Sequence, residues 1–448
     1  MPNSKLILWS ITASLAGFLF GFDTVVISGA EQTIQQLWNL SSTQHGIAIS
    51  IALWGTVAGA LIGGWPTEQF GRQRTLLLIG IFYLSSALGS AFAPDLYSFM
   101  IARFIGGVGV GISTVAAPLY IAEISPAKHR GKLAGMFQFN IVFGILVAYL
   151  SNSSLSEIGE NAWRWMLGVE VLPSCIFTIL CFWLPESPRW LISHGGRKKE
   201  AVAVFRLVSP DSSTPDLEKL ANEIELNLKE TEQQELRFFS TQLKFPILLA
   251  FLIAFFNQLS GINAILYFAP RIFSLTGLEQ SAALLQSIGI GVTNLVFTFI
   301  GLWLIDRLGR RQLLTIGCFG YITSLGLCSV AFATENYSIV PICIFSFIAS
   351  HAVGQGAVIW VFISEIFPNR YRASGQALGS STHWVFAALL TLFFPIAVEA
   401  IPPAIVFAFF CFMMLLQLLW IRVFVPETKG VILEQMQTKV MAKSSLAS

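Results

Sequence analysis

Gly71-Arg72-Gln73-Arg74 closes one apolar run and opens the next, and the device returns as Gly309-Arg310-Arg311, with Arg310 standing 238 positions after Arg72. Two further motifs keep step with it. Glu123 with Arg130 recurs as Glu365 with Arg372 at an offset of 242, and Pro185-Glu186-Ser187 recurs as Pro426-Glu427-Thr428 at an offset of 241. Three motifs in one order at nearly one offset mark a duplicated half.

The composition says what the halves are made for. Of 448 residues, 54% are hydrophobic and only 12% charged, whereas a soluble domain carries about 25% charge. Twelve segments have the roughly 20 apolar residues that a helix needs to cross a bilayer. They lie near 8–30, 46–66, 75–93, 97–121, 133–151, 163–184, 246–270, 284–304, 312–333, 339–363, 375–396 and 402–424. The expected fold is therefore all-α and integral to the membrane: a six-helix half over 1–184, a linker over 185–244, a second six-helix half over 245–425 and a tail over 426–448. Two similar six-span halves are the pattern of a transporter that rocks one half against the other around a central site.

The net charge of +2 gives no footing for nucleic acid. The six cysteines (175, 181, 318, 328, 343 and 411) fall inside spans and imply neither a disulfide nor a metal framework. The first span lacks the Ala-x-Ala pattern of a cleaved signal. Of the 27 Lys and Arg, three fall in spans (Arg103, Arg164 and Arg271), and the rest gather at the termini and even-numbered loops. The excess of basic residues on that side places both termini in the cytoplasm. In the linker, Leu217, Leu220, Ile224 and Leu228 recur at helical spacing among Glu and Lys, so short amphipathic helices are expected under the membrane. The tail is expected to be disordered beyond Lys443.

Charges at span ends come in matched sets. Glu68, Arg72 and Arg74, and then Asp306, Arg310 and Arg311, flank tight loops that Gly71 and Gly309 allow. With Glu123, Arg130, Glu365 and Arg372 they read as a latch between the halves; plain anchoring of helix ends accounts for the basic residues but not for the matched acids. Deeper in the first half lie Asp23, Arg103 and Glu170. An ionised group there costs at least about 2.5–3.5 kcal/mol, so it is paired and functional by default. A carboxylate that pairs with Arg103 and releases it is a reasonable proton carrier; the competing reading is a static ion pair that fixes packing.

The second half is lined differently. Asn257, Gln258 and Asn263 sit in the seventh span, Asn294 in the eighth, Gln355, Gly356 and Trp360 in the tenth, His383 and Trp384 in the eleventh. On an unbroken helix Gln258 and Asn263 stand about 140° apart and share a broad face. Uncharged amides both donate and accept, which suits hydroxyls, and a Trp face suits the C–H side of a sugar ring. Interhelical hydrogen bonding explains any single amide equally well, but not the set. His351 and His383 have no third ligand at useful spacing, so no metal is expected.

These segments resemble the sugar porter branch of the major facilitator superfamily over essentially the whole chain. The resemblance rests on Gly21 to Gly29 (Gly-Phe-Asp-Thr-Val-Val-Ile-Ser-Gly), Arg103-Phe104-Ile105-Gly106-Gly107, Pro185 to Leu191, Gln258-Leu259-Ser260-Gly261-Ile262-Asn263, Ser364-Glu365-Ile366-Phe367-Pro368 and Pro426 to Gly430. It implies that Gln138, Gln258, Asn263, Asn294 and Trp360 hold the sugar, that Phe20, Gly356 and Trp384 line the same cavity, and that Tyr267 belongs to the external gate. It also implies proton coupling through Asp23, Arg103 and Glu170, as in the bacterial xylose–proton and glucose–proton symporters. The chain departs from the family at Asn257, in place of the first Gln of a pair, and at Ile145, His351 and His383, which leaves the sugar unnamed. Gln69 and Gln73 dilute the first basic loop.

The expectation is a monomeric, cofactor-free importer of a neutral monosaccharide with a proton, in the bacterial inner membrane. The alternatives are a proton-independent facilitator, which the first-span Asp23 disfavours, and a sugar sensor, which the tail of under 25 residues disfavours. An enzyme is not expected, since no nucleophile–base or metal motif occurs in the spans.

Overall fold

The computed structural model describes residues 4–194, 196–209, 213–232, 238–240, 243–368 and 371–430, with the side chains of 127–132, 134 and 227–232 excepted. Every described element is helical. Lipid offers backbone groups no hydrogen bonds, so a run of apolar residues closes its own N–H···O=C bonds as a helix. Among the described residues, twelve helices are long and apolar enough to cross a membrane: Ser4–Gly29, Ser42–Ile62, Arg72–Ala91, Leu96–Ile124, Gly135–Leu155, Ala162–Cys181, Lys244–Tyr267, Gln280–Leu308, Arg310–Ala333, Tyr337–Ile366, Arg372–Ala400 and Pro403–Phe424. They are called spans one to twelve below. Boundaries differ from the sequence expectation by a few residues, and Arg271 falls just beyond span seven.

The duplicated glycines turn the chain alike in both halves. Gly71 and Gly309 have φ of 90° and 96°, a region that L side chains avoid. Span four opens on a reciprocal cap, Asp95 accepting from the Ser98 N–H at 2.9 Å. Small residues let spans two and four touch: a Cβ on Gly55 or Gly59 would strike the carbonyl oxygen of Phe104 or Val108.

Spans seven and ten are not continuous. Helix Lys244–Leu259 stops at Ser260, Gly261 adopts the left-handed region with φ 90°, and Ile262–Tyr267 begins afresh. In span ten a wide π-type turn over Ala352–Gly356 separates Val340–His351 from Ala357–Ile366. Such turns recur at functional sites.

The linker forms Pro188–Ser193, Lys198–Val208 and Thr214–Glu232, packed around Trp190, Leu191, Val204, Phe205, Leu217 and Ile224. The expected stripe is correct at Leu217 and Ile224, but Leu220 faces outward, and Leu228 lies outside the described side chains. So does the whole tail beyond Gly430.

The chain forms two compact units. The first is Met1–Asp23, Gly55–Ile145 and Leu167–Leu236; the second is Thr24–Trp54, Leu146–Met166 and Arg237–Ser448. The second unit thus takes in the odd-loop ends of spans one, two, five and six together with all of spans seven to twelve.

Candidate functional site

Three sets of residues are built from the expected site positions: one lies in the first unit, one in the second, and the third has a copy in each. In the first unit, Arg103 of span four donates from Nη1 to Asp23 Oδ1 at 2.5 Å and from Nη2 to the Asp23 carbonyl at 3.1 Å. Both residues are 2% exposed. Gly106, one helical turn on, packs closely on Ser86, whose Oγ a Cβ there would meet at 2.3 Å. Glu170, 1% exposed, interacts electrostatically with both members of the pair. Its Oε1 has no hydrogen-bond partner among the described residues. The result is two buried carboxylates, one guanidinium and one carboxylate oxygen without a partner among the described residues, an arrangement in which a proton can replace an ion pair.

In the second unit the break at Gly261 falls within a cluster of amides. Asn263 Nδ2 donates to Gln258 Oε1 at 2.8 Å, and Gln258 Nε2 donates to Asn257 Oδ1 at 2.9 Å. Gln258 and Asn263, expected to share a broad face, meet directly, and they do so across a helix break. Gln258 Nε2 also lies 3.1 Å from His383 Nδ1. Asn257 Nδ2 donates to Gln355 Oε1 at 3.4 Å, which the π-type turn presents, and Gln355 Nε2 has no partner among the described residues. The His383 ring lies 5.3 Å from Trp360 and 4.8 Å edge-on from Trp384. Asn294, 7% exposed, accepts from Thr298 at 3.5 Å. His351 meets the Tyr321 hydroxyl through Nδ1 at 2.7 Å, so this His is satisfied by a phenol. Spare amide donors beside aromatic faces can hydrogen-bond hydroxyls and stack a ring.

Phe20 and Gln138 lie in the first unit. Phe20 packs against that unit's core, and Gln138 is half-buried on span five. Tyr267 is buried at the end of span seven.

The third set is the charged span ends, and here the structure shows more than the sequence promised. Arg72 grips Glu123 with two bonds, Nε to Oε2 at 2.9 Å and Nη2 to Oε1 at 3.0 Å, and Arg310 grips Glu365 in the same way at 3.0 and 2.7 Å. Both pairs lie within their own half. Glu186 accepts the Arg72 backbone N–H at 2.8 Å, and Glu427 accepts that of Arg310 at 2.9 Å. Each carboxylate thus holds the N-terminus of the earlier span that begins at that Arg, where the helix dipole favours an anion. The recurrence of Pro-Glu was visible in the sequence; its role as a cap was not. Arg372 donates to the Ser364 carbonyl at 2.8 Å. The Arg130 side chain lies outside the described residues.

The sequence reading missed another charged group altogether. Glu31, after span one, and His45, in span two, are both fully buried, with His45 Nε2 at 2.7 Å from Glu31 Oε2. Arg271, in the helix Ala269–Ser274, adds a two-bond grip on Glu31 at 3.0 and 2.7 Å. A lone Glu and a lone His in the sequence between the expected spans one and two give no signal of burial.

The chain matches the model of the family described as "Sugar (and other) transporter" over residues 9–440. It is 33% identical to the glucose transporter GlcP of Staphylococcus epidermidis over 99% of each chain. It is 34% identical to the arabinose-proton symporter of Bacillus subtilis over 96% of this chain and 94% of that protein. Its fold matches the xylose transporter XylE from E. coli, in a partially occluded inward open conformation, with a TM-score of 0.85 at 31% identity, covering 96% of this chain and 100% of that one.

Proposed function

This chain belongs to the sugar transporter family of the major facilitator superfamily, and on that premise we propose that it imports a neutral monosaccharide together with a proton by alternating access. The observation that carries the reading is the buried Asp23–Arg103 pair with the Glu170 carboxyl beside it. A facilitator has no need to bury this charge in its first span. Relatives described as an arabinose-proton symporter and a D-xylose-proton symporter support the class.

In the proposed cycle, sugar binds against Gln258, Asn263, Asn294, Gln355 and Trp360, with His383 and Trp384 completing the wall. Gln138, Phe20, Asn257 and Gly356 are assigned to the same substrate path. A proton on Asp23 cancels its charge, and Arg103 turns to Glu170. The halves over 1–184 and 245–425 then rock about the linker, and sugar and proton leave on the far side. Arg72–Glu123 and Arg310–Glu365, with Arg130 and Arg372, steady the ends that must part, and Tyr267 guards the other side. The protein acts as a monomer in a bacterial inner membrane with both termini cytoplasmic, the side on which basic residues collect. A proton gradient supplies about 1.4 kcal/mol per pH unit.

The test is uptake of glucose, galactose, xylose and fructose into proteoliposomes, with and without an inward proton gradient, for the native protein and Asp23→Asn. Gradient-driven accumulation that disappears in the variant while sugar exchange survives is the expected result. Equal equilibration by both proteins, with or without the gradient, would leave a facilitator.

A further inference from the structure

The even-loop ends of spans eight, nine and twelve carry a group of cations that nothing in the cycle just described uses. Arg307 sits in the last turn of span eight, Arg311 in the first turn of span nine, Arg422 in the last turn of span twelve, and Lys429 follows it. All four are exposed, and none forms an ion pair among the described residues. They are held as two pairs. Lys429 Nζ donates to the Arg307 carbonyl at 2.5 Å, and Arg311 Nη2 donates to the Arg422 carbonyl at 2.7 Å. Two of the guanidiniums also lie over rings: Arg307 Cζ is 3.8 Å from the centre of the Trp303 ring, and Arg422 Cζ is 5.9 Å from that of Phe319. Both rings are themselves half exposed, as is Val423 beside Arg422. A cation over an aromatic face near the end of a span is held at the depth of the membrane boundary, where such rings collect.

The duplicated half supplies the comparison. At the offsets that align the repeated motifs, Arg307 and Arg311 answer Gln69 and Gln73, and Arg422 and Lys429 answer Cys181 and Pro188. The two corners are built alike: Gln73 Nε2 donates to the Cys181 carbonyl at 3.4 Å, the contact that Arg311 makes with Arg422. An amide therefore suffices for the structural bond, and the guanidinium adds charge that this bond does not need. Arg74 and Arg189 stand against Gln312 and Gly430, so the exchange runs both ways, but the balance differs. With Arg310 and the acids that bind it (Asp306, Glu365 and Glu427), the second corner has five cations to three acids. The first has Arg72, Arg74 and Arg189 to Glu68, Glu123 and Glu186, three to three. The general excess of basic residues on this side sets orientation, and it does not account for a surplus confined to one of two matched corners.

We propose that Arg307, Arg311, Arg422 and Lys429 bind the headgroup phosphate of an anionic phospholipid, with Trp303 and Phe319 against its glycerol and acyl chains. The site shares no residue with the sugar or proton path and does not depend on the transport reading. Guanidinium N–H groups match phosphate oxygens two at a time, and the Lys429 ammonium adds a point charge. A zwitterionic lipid presents the same phosphate beneath a cation, which four cations repel. Free phosphate has the charge but nothing to cover the exposed rings, so the apolar floor favours a lipid. Each cation set against anionic lipid strengthens binding about fivefold.

Native mass spectrometry of the purified protein in detergent, titrated with phosphatidylglycerol or phosphatidylcholine, reads the affinity of each lipid directly. The native protein should bind its first phosphatidylglycerol at least about 25-fold more tightly than phosphatidylcholine. Arg307→Gln with Arg311→Gln, which copies the first half, should cut that preference by roughly 25-fold, fivefold for each cation. Arg307→Lys with Arg311→Lys should keep most of it, which separates loss of charge from loss of fold. Arg189→Gln with Lys199→Gln removes as much charge elsewhere on the even-loop side and should leave the preference unchanged. Equal affinity for the two lipids in the native protein, or a preference that survives the Gln pair, overturns the site. So does a Lys pair that behaves as the Gln pair, or an equal loss in the Arg189→Gln, Lys199→Gln protein, which would reduce the effect to diffuse charge. Displacement of phosphatidylglycerol by millimolar inorganic phosphate would show a free anion to be the ligand and would overturn the lipid assignment.

Discussion

At the scale of single residues, the cluster proposed to bind sugar depends on one glycine and one amide. Gly261 takes φ of 90°, and a Cβ there would stand 2.8 Å from the Phe410 ring. Gly261→Ala therefore meets both backbone strain and overlap, at a cost of about 1–3 kcal/mol for the backbone alone. We expect a lower thermal unfolding midpoint and a raised KM, because the break that brings Asn263 to Gln258 is what the strain supports; an unchanged KM would show that the break does not organise the site. Gln258 is the hub of that site, with Asn257, Asn263 and His383 all within hydrogen-bond distance. Gln258→Ala leaves these buried groups unpaired, so sugar binding measured by calorimetry should weaken about 10- to 100-fold, equivalent to roughly 1.4–2.8 kcal/mol. Which residues belong together here could be read from the sequence only in part. Amide and Trp content pointed to these residues as a set, but the hydropathy of span seven runs unbroken through Gly261. The sequence alone therefore does not distinguish a glycine that ends a helix from one that lies within it.

At the scale of elements, the repeated span ends share one construction, in which a carboxylate from the Pro-Glu motif caps the span that begins at Arg72 or Arg310. The repeat was visible as an offset, because both halves use the same residues for the same turn. The partners were not visible, since Glu186 and Arg72 are 114 positions apart and nothing local couples them. The same reason hid Arg271, Glu31 and His45. Burial raises the Glu186 carboxyl above its ordinary value, against the pull of the Ser187, Arg72 and Gln73 N–H groups and the Arg72 charge. The sign of the consequence follows from linkage. A carboxyl raised in the folded state binds its proton more tightly there than in the unfolded chain. Its contribution is full below the unfolded value of about 4.3 and is lost as pH rises through the folded value. Glu186→Gln keeps an acceptor for the N–H groups and removes the titration. Relative to the native protein, the variant should therefore gain in thermal midpoint between pH 4.5 and 7, measured in one detergent. A difference that does not change with pH would mean that burial of Glu186 has no such effect.

At the scale of the whole molecule, the compact units do not follow the halves of the duplicated sequence. The second unit joins the odd-loop ends of spans one, two, five and six to spans seven to twelve, and its internal contacts say how tightly that end is shut. A Cβ on Gly46 of span two would overlap the Leu392 carbonyl of span eleven, and one on Gly291 of span eight would stand 2.9 Å from Leu146 Cα of span five. These are backbone-to-backbone approaches between parts of the chain that must separate if sugar is to enter there. Neither partner is the end of a flexible side chain, so nothing yields cheaply to a larger residue. Gly46→Leu therefore opposes closure of this end without touching Gln258, Asn263 or Trp360. An alternating-access protein in that condition still binds sugar but no longer completes the cycle. We expect uptake into proteoliposomes to fall at least about 10-fold, the effect of 1.4 kcal/mol or more against closure, while sugar affinity measured by calorimetry stays within about threefold of native. Loss of both together would mean that Gly46 matters for folding, and retention of both would mean that this end need not close for transport.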